Sequence, residues 1–451
     1  MNGSFKLKPF RSELFNTARM MVERLRASGH KAFLVGGCVR DTVMGSPPKE
    51  YDITTSASPE EIMRIFSNTV PIGASFGVIL ILEGEYKFEV ATFRQDESYS
   101  DGRHPDRVIY TSSERDDVTR RDFTINGMLY DPITEEVIDY VGGLDDIKSG
   151  IIRTIGSPYE RFNEDKLRMI RAIRFGARFN YEIEEETLHA IRKLAYRISD
   201  VSAERVREEI VKIITQKNPG FGLELLRQTG LLSHILPEVD KMYGVPQPPE
   251  FHPEGDVFTH SCLILDKVFE ITEGDPSLEL SVGALLHDVG KPVTITFEDR
   301  IRFNAHDIIG AEMAEKICKR LRFSNKDIER IEALVSEHLR FKDVFNMKES
   351  TLKRFLGMPY FEDHLTLHLA DCLASHGSTE AYDFVKKKLE EFKEEEIKPK
   401  PILTGYDLIE MGYTPGPIFS EILESLEEAQ LEGNVKDKEE AKKFVLERFP
   451  I

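Results

Sequence analysis

The sequence predicts an α+β protein, with a small mixed-sheet head followed by a mainly α-helical body. Between Phe33 and Phe93 lie short runs rich in β-branched and aromatic residues, punctuated by glycine and proline, as expected of strands. Over residues 157–250 the pattern is helical throughout. The 451 residues, 40% of them hydrophobic, are enough for several packed cores. We divide the chain at 1–155 (head), 156–250 (helical neck and body), 251–395 (a second helical domain) and 396–451 (helical tail).

The first helix is expected over residues 11–28, where Leu14, Ala18, Met21, Val22 and Leu25 recur on one face. The next stretch, FLVGGCVRDTVMGSPPKEYDITTSASP, runs from Phe33 to Pro59 and organises the rest. Gly36 and Gly37 follow a strand-like run; without Cβ atoms they let the backbone turn tightly and bring its N–H groups close to an anion. Glu50 and Asp52 lie two apart, so on a strand both carboxylates would project from one face. Paired carboxylates suit Mg²⁺, which is held by one or two of them plus substrate phosphates. A double glycine alone is ordinary punctuation, and two acids alone are usually a solvated face. Together within a strand–turn–helix–strand pattern, they point to a nucleoside triphosphate and metal-assisted phosphoryl or nucleotidyl transfer.

Ser58-Pro59-Glu60-Glu61 reads as a helix start, with serine as cap and proline first. FGVILILEG and YKFEVATF are the next strands. A polar stretch, Arg94 to Tyr110, reads as a surface loop. RRDFTINGMLYD (Arg120 to Asp131) is expected to open a helix packed under the sheet through Phe123, Ile125 and Met128. VIDYVGGLDDIKSGIIRTIG then reads as a hairpin closing the head near residue 155. In EDKLR, Asp165 and Arg168 are i,i+3 neighbours expected on one helix face. The proline-rich GVPQPPEFHPEGD (Gly244 to Asp256) marks a linker or boundary.

Beyond the linker, His260, His287-Asp288, His306, His338 and Asp371 are spread over several helices. Imidazole and carboxylate ligands arranged so can converge on a divalent metal. His364 and His368, spaced i,i+4, are taken as helix-surface residues. In the tail, Gly405, Gly412 and Gly416 indicate short helices joined by tight turns.

Four motifs occur in a familiar order: the glycine bend with its acids, RRDFTINGMLYD, EDKLRMIRAIRFGARF (Glu164 to Phe179) and SAERVREEIVKI (Ser202 to Ile213). Over roughly the first half of the chain they resemble class II tRNA nucleotidyltransferases and the related bacterial poly(A) polymerases. The resemblance implies a cytoplasmic enzyme that adds CCA to the tRNA 3′ end from CTP and ATP with Mg²⁺ and no nucleic-acid template. It implies Glu50 and Asp52 as metal ligands and Glu89 as a third active-site carboxylate. Gly36, Gly37, Arg40, Arg121, Asp122, Asn126, Arg171 and Arg174 would contact nucleotide, while Asp165 and Arg168 read the base. One departure is Glu50, where the family usually has Asp. The Arg103-His104-Pro105 segment resembles a loop that in relatives aids the switch from C to A addition. His287-Asp288 followed by GKP resembles the HD phosphohydrolase superfamily. That likeness implies a divalent metal, additional to the Mg²⁺ of the head, on His260, His287, Asp288 and Asp371, with His306 and His338 as ligands of a second ion there, or else an HD fold whose metal site has been lost.

Lys and Arg number 60 against 79 Asp and Glu, a net charge of −19. Taken as an average this argues against a nucleic-acid partner. The distribution is polarised, however, with Arg161, Lys166, Arg168, Arg171, Arg174, Arg178, Arg192, Lys193, Arg197, Arg205, Arg207 and Lys212 clustered together. Phosphate binding responds to the local field. The four cysteines are far apart and read as reduced thiols. No stretch has the length of a signal peptide or membrane span, so a soluble intracellular protein is expected. Oligomeric state is not legible. A poly(A) polymerase, an enzyme adding only A or only CC, and a protein acting chiefly as an HD hydrolase stay open. IGASFGV (from Ile72) lacks the basic segment of the first, and the Arg103 loop disfavours a CC-only enzyme.

Overall fold

The computed structural model describes residues 3–73, 77–97, 107–297, 299–393, 397 and 399–450. The chain divides into two compact units, Met1–Asp240 and Lys241–Ile451.

The first unit is built on β1 (Gly3–Lys6), α1 (Glu13–Ala27), β2 (Ala32–Val35), α2 (Gly37–Val43), β3 (Asp52–Thr55), α3 (Pro59–Ile65), β4 (Thr69–Gly73), β5 (Val78–Glu83) and β6 (Tyr86–Thr92). There follow β7 (Arg94–Glu97), β8 (Arg107–Tyr110), α4 (Glu114–Thr119), β9 (Met128–Asp131), β10 (Glu136–Asp139) and α5 (Gly143–Ser149). Eight strands form one sheet in the order β1-β10-β9-β2-β3-β6-β5-β4. Only β3–β6 is parallel, so the sheet is mixed as expected but larger. β7 and β8 pair separately, and Arg103-His104-Pro105 between them lies outside the described residues.

Side chains alternate across β2. Ala32 and Leu34 join a core with α1 residues Phe15, Met21 and Leu25, while Phe33 and Val35 pack with Phe93, Val118 and Leu129. The start of α3 is the expected capping box, with Ser58 Oγ accepting from Glu61 N–H and the Glu61 carboxylate from Ser58 N–H.

RRDFTINGMLYD is not a helix. After a single 3₁₀ turn at Thr124–Asn126 it becomes the central strand β9. Met128, Leu129 and Tyr130 are all buried, and a strand covered on both faces loses the alternation that marks it. The hairpin is β9–β10 rather than a feature of residues 137–155. Asp139 explains the change: its carboxylate accepts from the N–H groups of Val141, Gly142 and Leu144, each at 2.9 Å, and turns the chain into α5.

The neck is helical, with α6 (Pro158–Glu164), α7 (Leu167–Phe179), α8 (Glu185–Leu194) and α9 (Ala203–Ile214) leading to further helices up to Asp240. The exception is Glu182–Ile183, which pairs in parallel with Ile151–Ile152.

In the second unit, helices Val257–Ile271, Leu278–Leu286, His306–Arg320, Asn325–Glu337 and Phe361–Ala374 carry the histidine and aspartate motifs. The tail helices Gly405–Glu410, Pro417–Leu431 and Lys438–Arg448 close on Leu408, Ile422, Leu426 and Val445; the middle one is longer than expected. Among the described residues no helix is long and apolar enough to cross a membrane.

Gly143 holds α5 against the turn before β9, where an added Cβ would lie 2.3 Å from the Thr124 carbonyl oxygen. Gly143→Ala is therefore expected to cost about 1–3 kcal/mol by overpacking. Calorimetry would read this as a lowered Tm, and an unchanged Tm would refute the packing argument.

Candidate active site

Antiparallel pairing sets Val35, the last residue of β2, opposite Asp52, the first of β3. The glycine bend that follows Val35 therefore lies beside the Asp52 carboxylate. Gly36 has φ 80° and ψ −134°. A Cβ there would meet Arg121 Nη1 and Asp52 Oδ2 only at 3.8 Å, so backbone conformation rather than space demands glycine. Glu50 is exposed and precedes the strand, which corrects the expectation that both acids sit on it. The two still share a side, because Tyr51 between them turns inward against Phe15. Glu89 on β6 stands one residue before Val90, and Asp52 one before Ile53, in the parallel Ile53–Val90 register.

The bend and the acids open into a cleft of about 490 Å³. Of the residues expected to hold metal or nucleotide in the head and neck, all but Glu89 line it: Gly36, Gly37, Arg40, Glu50, Asp52, Arg121, Asp122, Asn126, Asp165, Arg168, Arg171 and Arg174. Burial, then the charges of Glu50 and Glu89, push the Asp52 carboxyl up to about 6, with Arg121 opposing. Carboxylates crowded in this way fit a divalent cation.

Opposite them the arginines are held by acids. Arg40 donates to Asp41 Oδ1 from Nε at 2.9 Å and Nη2 at 2.7 Å, and from Nη1 to Asn126 Oδ1 at 2.6 Å. Arg171 donates to Asp122 Oδ2 at 2.9 and 2.5 Å, and Arg174 to the buried Glu209 at 2.7 Å. Asp165 and Arg168 do not share a helix face. Asp165 sits in extended conformation at the break between α6 and α7, where its Oδ1 accepts from Leu167 N–H at 3.1 Å. Arg205 grips it from α9 at 2.8 and 3.3 Å. Arg168 donates instead to Glu164 at 2.5 Å.

Asp117 was not singled out from sequence. Fully buried on α4, it binds Arg120 at 2.6 Å and Arg121 at 3.0 Å and accepts from Thr54 Oγ1 at 3.1 Å. Its i,i+3 and i,i+4 spacing to those arginines was the available signal. Glu209 was also missed, and Arg205 was noted only as part of the basic cluster.

In the second unit the expected ligands come together. His260 Nε2 lies 3.0 Å from Asp371 Oδ1, His287 Nε2 3.1 Å from Asp288 Oδ2, and His306 and His338 3.4 and 3.9 Å from Asp288 Oδ1. Two groups, His260/His287/Asp371 and Asp288/His306/His338, each bring their ligand atoms within 4.8 Å of one another. His260 Nε2, His287 Nε2, His306 Nε2 and Asp288 Oδ2 are buried without aligned hydrogen bonds, a donor set that fits a divalent ion. His364 and His368 are not surface residues. His364 is 4% exposed, and His368 stacks on Phe341 at 4.1 Å, where burial pushes its imidazole down to about 4. Neither belongs to the metal-ligand groups found among the described residues.

Residues 32–153 match the family model described as poly A polymerase head domain, and residues 180–243 match that of a probable RNA and SrmB-binding site of polymerase A. Residues 257–375 match the HD domain model. The chain is 32% identical to the CCA-adding enzyme of Ligilactobacillus salivarius over 449 residues, covering 96% of this chain and 98% of that one. It is 42% identical to the CCA-adding enzyme of Enterococcus faecalis over 209 residues, covering 46% of this chain and 51% of that one. The Bacillus stearothermophilus CCA-adding enzyme in complex with CTP has the same fold, with a TM-score of 0.77 and 24% identity over 97% of this chain and 98% of that one. So does the Thermotoga maritima CCA-adding enzyme complexed with tRNA, with a TM-score of 0.62 and 21% identity over 99% of this chain and all of that one.

Burial alone would raise the Asp117 carboxyl, but Arg121 and Arg120 hold it down at about 2. A depressed folded pKa contributes stability above the unfolded value near 3.8, and this is lost as pH falls through about 2. Asp117→Asn is therefore expected to lower unfolding free energy by about 2–3 kcal/mol at pH 7, with the gap narrowing below pH 4. Urea titrations across pH check this, and a gap independent of pH would contradict it.

Proposed function

The chain belongs to the CCA-adding enzyme family, and on that premise we propose that it adds CMP, CMP and AMP to the tRNA 3′ end from CTP and ATP, with no nucleic-acid template. The observation that carries the reading is Asp52 set against the Gly36 bend, with Arg121 on the other side. Pyrophosphate is the second product.

The family's transfer chemistry uses a divalent metal, and we take Mg²⁺ as the ion here, held by Asp52 and Glu50. When bound, such an ion lowers the pKa of the attacking 3′ hydroxyl and neutralises charge on the reacting phosphate. Glu89, on the strand beside Asp52, is proposed to assist in activating that hydroxyl. The glycine bend exposes backbone N–H groups to the triphosphate, and Arg121 has a guanidinium edge available beside them. Arg40 and Asn126 fix one another, while Asp122 fixes Arg171 and Glu209 fixes Arg174, so the cationic wall is set before nucleotide arrives.

Base choice is assigned to Asp165 and Arg168. Arg205 and the Leu167 N–H occupy part of the Asp165 carboxylate and leave acceptor capacity over. Arg168 uses Nη1 on Glu164 and the Arg161 carbonyl, and its Nε and Nη2 have no partner among the described residues. One acceptor and one donor fork suit the edges of cytosine and adenine.

The substrate is tRNA, which supports a cytoplasmic setting. The finer division at 155, 250 and 395 is kept as a proposal. For the second unit we propose a divalent-metal phosphohydrolase centre of the HD type, supported by the convergence of His260, His287, Asp288 and Asp371.

Purified protein given tRNAs lacking CCA, lacking A, or complete, with CTP and ATP singly and together, tests the assignment. Exactly defined extension of the first substrate to CCA is expected. Stopping at CC, adding only A, or continued polymerisation would each replace it with another reading. Asp52→Ala should lower transfer at least about 10²–10³-fold while any phosphohydrolase activity persists. Loss of both activities in a folded variant would contradict separate centres.

A further inference from the structure

The segment Gly244–Asp256 has the composition of a linker, yet it is tied down within the second unit. Gly244 N–H donates to Asp256 Oδ2 at 2.6 Å, and Val257 N–H to the Val245 carbonyl at 3.1 Å, closing it into a loop. Two of its side chains reach the metal-ligand cluster. Glu254 Oε1 lies 2.6 Å from His260 Nδ1 and 2.9 Å from His252 Nδ1. The Glu254 side chain is 7% exposed; its Oε1 is hydrogen-bonded to His252, while its Oε2 and the His260 Nδ1 are both buried without an aligned hydrogen bond, so Glu254 meets His260 as a charge contact at 2.6 Å. Gln247 Oε1 accepts from Lys291 Nζ at 2.7 Å, and the same Nζ lies 2.6 Å from Asp288 Oδ2. The segment therefore touches one ligand directly and another through a single lysine.

The chemistry at His260 decides what Glu254 does. An ionised carboxylate only accepts, so it favours the proton on Nδ1 and leaves the Nε2 lone pair for a ligand position. Nε2 is the nitrogen that faces Asp371. A separate ion held by His252, Glu254 and His260 Nδ1 would require His260 to bind metal through both nitrogens, having lost both protons. The orienting role needs no such step. Outer-shell carboxylates of this kind fix the rotation and tautomer of a ligating histidine.

We infer that Glu254, braced by His252, is the orienting carboxylate of the second unit's metal centre, and that metal binding there orders the 244–256 segment. The inference rests on reading that centre as a divalent-metal site. Binding at the cluster and ordering of the segment are then reciprocally linked, because each favours the same arrangement of His260 and Asp288.

The test titrates Mn²⁺ by calorimetry into the full chain carrying Asp52→Ala, which silences the head, with and without Glu254→Gln. Hydrogen exchange of peptides spanning 244–256 is followed in the same samples. Glu254→Gln is expected to weaken Mn²⁺ binding about 10–100-fold. Mn²⁺ should slow exchange across the segment when Glu254 is present and not when it is replaced. The exchange measurement on the chain that keeps Glu254 stands whether or not the substitution disturbs folding. Equal Mn²⁺ affinity in the two chains, or exchange indifferent to Mn²⁺, would overturn this inference alone. Absence of Mn²⁺ binding in both would overturn the metal-centre reading and this inference with it.

Discussion

The register of β2 against β3 is the constraint on which the head depends. Because Val35 faces Asp52, the bend at Gly36 and the half-buried carboxylate are fixed side by side before any ligand arrives. A one-residue slip would turn every side chain on β3 to the other face of the sheet. It would carry Asp52 into the core and bring Ile53 to the cleft. Buried residues on both faces of β2 hold the register, with Leu34 on one side and Phe33 and Val35 on the other. The hydrophobic core thus sets where the chemistry can occur.

A chain of net charge −19 acting on polyanions needs a local arrangement that its total charge does not describe. Arg40, Arg168, Arg171, Arg174 and Arg205 all line the cleft, and each is paired with an acid. Buried ion pairs add little net stability, since desolvation offsets their attraction. Their value here is geometric. Each acid fixes the plane of a guanidinium and leaves the rest of its donors for phosphate or base. Asp165 and Arg168, three apart in the motif, are held by different partners, so the pair is positioned by α6, α7 and α9 together.

The sequence made the strands after Asp52, the first helix, the helical neck and the residues around the cleft legible, because local periodicity and short motifs mark them. What it hid was set by tertiary context. Strand β9 is covered on both faces, so Met128, Leu129 and Tyr130 carry no alternation and the segment passes for a helix. Asp139 redirects the chain into α5 through backbone hydrogen bonds that no periodicity reports. Glu209 binds an arginine, Arg174, that the fold brings to it, and Glu254 sits in a proline-rich run that reads as a linker; Asp117 lies within one helical turn of the arginines it binds and was legible only through that spacing. His364 and His368 looked superficial because their i,i+4 spacing gives no information about which face Phe361 and Phe341 cover.

The central claim is that Asp52 and the glycine bend hold one metal ion and one triphosphate at a single point. Anomalous diffraction from crystals grown with Mn²⁺ and CTP measures this directly. The account predicts a manganese peak bonded to Asp52 and to phosphate oxygens that lie against the backbone of Gly36 and Gly37. A triphosphate bound elsewhere in the cleft, or a manganese ion in the head with Asp52 outside its coordination sphere, would contradict it.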